Sequence, residues 1–172
     1  MTVTPEDLKG SKLLITGPTG QVALPVVEHF AQIADVYALA RFRKEEDREK
    51  IEQLGATVIP ADLADAGSLE AVPEDIDYVL NFAVVKTGDF DYDLAANGEG
   101  VGNLMLRCRR AKAFVHFSST AVYEYCGHEP RSEDSPLGDN HRVMFPTYSI
   151  SKIAAETVCR FVAHQHGIPT TI

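Results

Sequence analysis

Lys12-Leu13-Leu14-Ile15-Thr16-Gly17-Pro18-Thr19-Gly20-Gln21-Val22-Ala23 is the stretch that decides the fold. Its first five residues read as a buried strand, and a helix is predicted to follow over residues 21–30. A glycine at the strand exit, Gly17, permits a tight turn. The second, Gly20, lets the backbone approach a pyrophosphate, and the small Ala23 lets helix and strand pack closely. The first turn of that helix then offers free N–H groups to an anion. Glycine pairs also serve ordinary turns. This pair, however, opens the first helix of a βαβ pattern, the context in which it reads as a dinucleotide-binding loop. Pro25 stands early enough in the helix that its missing N–H costs little.

Outward from this loop, short β-rich runs alternate with helical stretches. Strands are predicted over residues 36–40, 57–60, 78–82, 113–117 and 170–172. A charged helix over 44–54 closes at Gly55, and Ser68 is placed to cap a short helix that ends before Pro73. Leu94, Val101, Leu104, Met105 and Cys108 fall on one helical face within residues 94–111. A long helix from Tyr148 to His166 stops at Gly167. Residues 124–147 are polar, carry Pro130, Pro136 and Pro146, and read as a long loop of the functional kind. Strands alternating with helices imply an α/β fold with a doubly wound parallel sheet, Rossmann-type, forming one domain over residues 1–172.

With 172 residues, 45% of them apolar and 24% charged, the chain can bury a core of its own. Sixteen basic against 25 acidic residues give a net charge of −9, which argues against nucleic-acid binding. No apolar run approaches a membrane span and the first ten residues lack a signal-peptide core, so a cytoplasmic protein is expected. Cys108, Cys126 and Cys159 form no CxxC pair and read as reduced thiols. The histidines at 29, 116, 128, 141, 164 and 166 make no metal-ligand pattern. Asp89, Asp91 and Asp93 resemble half a calcium loop but lack its glycine and terminal glutamate; they read as a solvated helix start. Arg107, Arg109 and Arg110 suit a helix C-terminus and need no ligand.

The chemistry gathers later in the chain. Tyr148 and Lys152 stand four residues apart on one helix face, and a nearby ammonium favours the phenolate form of a tyrosine. Ser118, Ser119 and Thr120 follow the fifth strand at its carboxyl end, where open α/β sheets bind ligands. At the end of the second strand Ala40 stands where an acidic residue usually holds the ribose of NAD, and Arg41 follows. That pattern favours NADP, with NAD the alternative. A cation there also serves simply to begin a solvated helix.

Taken together, these motifs carry a family resemblance from about residue 12 to 172. The chain resembles the extended short-chain dehydrogenase/reductases, the group of NAD-dependent epimerases, dehydratases and reductases. ITGPTGQVA is similar to the family's TGxxGxxG loop, FSSTAVY to its strand-end signature and YSISK to its YxxxK motif. Ala61-Asp62-Leu63 resembles the step that contacts adenine, and Asn97 opens a stretch similar to N-x-x-G-x-x-N-L. The resemblance implies Tyr148 as acid/base, Lys152 as its partner and ribose ligand, and Ser119 as the third member, with Thr120 the alternative. It implies cofactor contacts from Gly17, Thr19, Gly20, Gln21, Val22, Arg41, Asp62, Leu63, Ala83 and Lys152. Asn97 is either structural or part of a proton relay. The expected substrate is a small carbonyl or alcohol compound, and an assembly of two copies is compatible with it. A smaller substrate lobe is expected beyond residue 172. Ala23, Phe82 and Glu124 depart from the family pattern. The rival reading is a non-catalytic NAD(P)-binding regulatory module, which would have no need of the Ser-Tyr-Lys set.

Overall fold

A computed structural model describes residues 5–139 and 143–172. Six strands form one parallel sheet: β1 (Lys12–Thr16), β2 (Asp35–Ala40), β3 (Thr57–Pro60), β4 (Tyr78–Asn81), β5 (Ala113–His116) and β6 (Thr170–Thr171). Their order is β3-β2-β1-β4-β5-β6, every pairing parallel. The doubly wound sheet expected from the alternation is therefore present. Its order reverses between β1 and β4, which puts a crevice at the carboxyl ends of these two strands.

Two helices, α1 (Ala23–Phe30) and α2 (Glu45–Gln53), pack on one face against Leu13, Ile15, Val36 and Ala38. On the opposite face lie α3 (Phe90–Leu94), α4 (Gly100–Arg107) and α5 (Tyr148–His166). There Leu104, Met105, Cys108, Cys159 and Val162 close over Leu14, Val79 and Phe114. Gly100 permits this closure: a Cβ on it would stand 2.2 Å from the Leu63 carbonyl oxygen. On the α1 face, Tyr78 and Leu80 of β4 and Ala113 and Val115 of β5 are only half-buried, beside an apolar groove of about 150 Å³.

Several elements differ from expectation. The first helix begins at Ala23 rather than 21. The short helix before Pro73 is a 3-10 turn, Ala66–Ala71, capped by Asp65; Ser68 instead turns its hydroxyl back to the carbonyls of Asp62 and Asp65. The helix predicted over 94–111 starts four residues earlier, at Phe90, and ends at Arg107. Between α3 and α4 it passes through a π turn, Ala95–Glu99, which accommodates one extra residue. The loop after β5 is not featureless. It makes a 3-10 turn, Thr120–Val122, and folds back so that Tyr123 bridges Leu137. Arg107 binds the carbonyls of Val72 and Glu70 and pairs with Glu74, which is more than a dipole effect. His141, named among the histidines above, lies outside the described residues. Among the described residues no helix is long and apolar enough to cross a membrane.

Candidate active site

At the crevice the glycine loop behaves as its spacing requires. Gly17 adopts φ +64°, and a Cβ there would meet the Ala83 Cα at 3.0 Å. The end of β1 and the end of β4 are thus in backbone contact, an approach only glycine allows. Gly17 N–H donates to Leu39 O (2.9 Å), tying the loop to β2. No side chain caps the start of α1. A cleft of about 380 Å³ opens here, lined by Gly17, Thr19, Gly20, Arg41, Asp62, Leu63 and Ala83 among the expected contacts. Gln21 and Val22 are exposed on the first turn, outside the lining. An elongated space with a glycine cradle at its centre and an uncapped helix start beside it fits a dinucleotide.

The structure corrects the picture of Arg41 as a free cation. Its Nη1 donates to the Tyr92 hydroxyl (2.5 Å), which donates in turn to Asp62 Oδ2 (2.9 Å). Burial, with the Asp62 carboxylate next, raises the Tyr92 phenol above its ordinary value. Tyr92 therefore joins two expected cofactor contacts, and nothing in the local pattern announced it. Phe42, the next residue after Arg41, takes φ +43°, a strained conformation for an aromatic residue.

On the other side of the crevice stands α5. Lys152 is 3% exposed, and its Nζ donates to the carbonyl of Phe117 (2.6 Å), the residue before Ser118. Burial pushes this ammonium down to about 8, and Lys86 pushes the same way. Tyr148 lies one turn before Lys152 and half-buried, with Lys86 Nζ 4.4 Å from its ring centroid. Of the hydroxyl candidates, Ser118 donates to Glu156 (2.5 Å), Ser119 accepts from the Ala121 amide (3.2 Å) and Thr120 is exposed. Ser118 is thus committed to α5, whereas Ser119 caps a turn that α5 packs against.

Beneath these residues runs a buried polar chain. The Ala83 amide donates to Thr16 Oγ1 (3.0 Å), and that hydroxyl donates to Asn81 Oδ1 (2.6 Å). Asn81 Nδ2 approaches His116 Nδ1 at 2.9 Å; an amide nitrogen can only donate, so the neutral ring carries its hydrogen on Nε2. Burial first, and Lys152 second, push His116 down to about 3. Phe82 departs from the family pattern by stacking on Phe117, centroids 3.7 Å apart. Asn97 sits in the π turn. Its Oδ1 accepts from Val85 N (2.8 Å), and its Nδ2 donates to Val85 O (2.9 Å) and Ser151 Oγ (3.1 Å).

A model of the family described as NAD dependent epimerase/dehydratase matches residues 13–172. The chain belongs to this family. Among solved members of this fold, a short-chain dehydrogenase/reductase superfamily protein of Agrobacterium tumefaciens with bound NAD is 25% identical. It superposes with a TM-score of 0.77 over 94% of this chain and 48% of its own. The UDP-glucuronic acid 4-epimerase of Bacillus cereus, in complex with UDP-glucuronic acid and NAD, is 22% identical, with a TM-score of 0.75 over 94% and 55%. The chloroplastic fatty acyl-CoA reductase 2 of Arabidopsis thaliana is 28% identical over 67% of this chain and 25% of its own length. This family member thus spans about half the length of the solved structures it matches, and a quarter of the plant reductase.

Proposed function

We propose that this chain forms the cofactor-binding and proton-transferring part of an NAD(P)-dependent oxidoreductase, epimerase or dehydratase acting at a carbonyl or alcohol carbon. The observation that carries the reading is Lys152, a buried ammonium one turn after Tyr148, anchored at the strand end that presents Ser118 and Ser119. The loop Gly17–Gly20 would cradle the pyrophosphate, Asp62 and Leu63 would face the adenine end, and Lys152 would hold the nicotinamide ribose. When bound, the cofactor supplies or accepts the hydride. In the reducing direction Tyr148 gives its hydroxyl proton to the substrate oxygen as the carbon gains hydride, and solvent then restores that proton. Lys152 favours the phenolate left behind, and Ser119 orients the substrate oxygen.

For cofactor choice the reading is NADP. A guanidinium has five N–H donors. Tyr92 engages one nitrogen of Arg41, so others are able to meet a 2′-phosphate, and Ala40 places no carboxylate against it. The decisive experiment offers the protein deuterated NADPH and NADH with a panel of aldehydes and ketones and follows deuterium into the alcohol. Transfer, with NADPH bound more tightly and the preference lost in Arg41→Ala, is expected. Binding of either dinucleotide without transfer to any member would support the non-catalytic module instead.

A further inference from the structure

Asp93 is a carboxylate with no exposed surface. It lies on α3, in a stretch whose acidic residues read as solvated from sequence. Asp89 does cap α3 by accepting from Tyr92 N (3.1 Å), but Asp93 turns inward. Its Oδ1 accepts from the Thr87 hydroxyl (2.6 Å) and Thr87 amide (3.0 Å), and its Oδ2 from the Thr87 and Gly88 amides (3.0 Å each). Oδ2 also accepts from the Thr147 hydroxyl at 2.5 Å. One buried anion thus holds two segments that are far apart in sequence, the loop after β4 and the start of α5. Burial alone would raise its carboxyl; the hydroxyls of Thr147 and Thr87 and the two amides outweigh burial and hold it below the ordinary value.

What those segments carry gives the arrangement its meaning. Thr87 adjoins Lys86, whose ammonium lies over the rings of Tyr148 (4.4 Å) and Phe145 (4.9 Å). Thr147 adjoins Tyr148 itself. Asn97, four residues after Asp93, repeats the pattern from the π turn by bonding Val85 on the other side of Lys86 and Ser151 on the other side of Tyr148. Lys86 and Tyr148 are therefore each flanked by two anchored neighbours, and Asp93 is the charged half of that double clasp. A surface loop fixed by a fully buried carboxylate is costly to build unless the placement matters.

We propose that Asp93 is a positioning residue that sets the Lys86 loop and the first turn of α5 in one register, and so aims Tyr148 for proton transfer. The inference rests on Tyr148 being the acid/base. The test uses Thr147→Val, which removes only the hydroxyl that reaches Asp93 from α5, and Thr147→Ser, which restores it. Amide hydrogen exchange, which needs no substrate, is the first readout. Thr147→Val is expected to speed exchange at Thr87 and Gly88, on the opposite side of the clasp, by about tenfold or more while β1 and β4 stay protected; Thr147→Ser leaves it unchanged. The second readout is turnover of the fastest-reduced carbonyl of the panel. It should fall by about 10- to 100-fold in Thr147→Val with the Kd for NADPH unaltered, and recover in Thr147→Ser. Unchanged exchange at Thr87 and Gly88, or normal turnover despite faster exchange, would overturn the proposal. A Tyr148→Phe variant with full turnover would instead remove the catalytic reading, and the exchange measurement would still decide whether Asp93 couples the two segments.

Discussion

The two sides of the crevice are made by different means. Beside β1 and β2 the cleft is shaped by backbone: Gly17 lies against Ala83, its amide is held by Leu39, and α1 begins without a side-chain cap. Beside β4 and β5 the ground under Tyr148 is made of buried polar side chains, namely Asn81, His116, Asp93, Asn97 and Lys152. The first side excludes Cβ atoms, and the second satisfies charges and amides without water. Damage to the first should therefore act through shape and binding, and damage to the second through proton transfer and the pH dependence of stability.

The largest effect expected is on the polar side. Tyr148→Phe keeps the ring and removes the proton carrier, so turnover should fall by about 10²–10⁴ while cofactor affinity changes little. Steady-state rates paired with a dinucleotide titration check both halves, and a matching loss of affinity would erase the division. On the backbone side, Gly17→Ala combines a left-handed φ of +64° with a Cβ 3.0 Å from Ala83 Cα. It should cost roughly 1–3 kcal/mol and weaken dinucleotide binding about tenfold or more. Calorimetric titration measures that, and normal affinity would mean that β1 and β4 can part without consequence.

Lys152 separates function from stability. Its folded value of about 8 lies below the ordinary 10.5, so the unfolded chain holds the proton more tightly between those values. Stability should rise with pH across that window, and below it the buried ammonium is a burden on the fold. Lys152→Met should abolish turnover yet raise Tm at pH 7 by a few degrees, on the order of 1–2 kcal/mol after loss of the bond to Phe117 O. The advantage should shrink as pH climbs from 8 to 10.5. A lower Tm at pH 7 would show that the hydrogen bond outweighs burial. The smallest effect belongs to His116, depressed from 6.5 to about 3. Its contribution is complete above 6.5 and is lost as pH falls toward 3, by up to about 1.4 kcal/mol per pH unit. His116→Gln should flatten that acid decline in thermal melts, and parallel curves for the two proteins would exclude the histidine as its source.

The same division explains what could be read from the chain. Lys12–Thr16, Thr57–Pro60 and Tyr148–His166 coincide with the predicted bounds, because an apolar run punctuated by glycine is a local signal. Gly17, Gly20 and Ala23 were legible for the same reason. Asp93 was not, since its burial depends on Thr147, 54 residues away. Tyr92 was hidden likewise, its partner Arg41 lying 51 residues back. Residue types at helical spacing announced a face for Tyr148 and Lys152, but not that Lys152 would be sealed from water or that Lys86 would lie over the tyrosine ring.

The π turn at Ala95–Glu99 is a change of phase. In an ordinary α-helix each residue advances the azimuth by about 100°, so one surplus residue swings everything before it around the axis by that amount relative to everything after it. Downstream, Val101, Leu104 and Met105 are locked into the core and set the zero of rotation. Upstream, the surplus residue is what points Asp93 inward. Losing a single codon from this segment would leave every other letter of the helix intact and turn its anion toward the solvent.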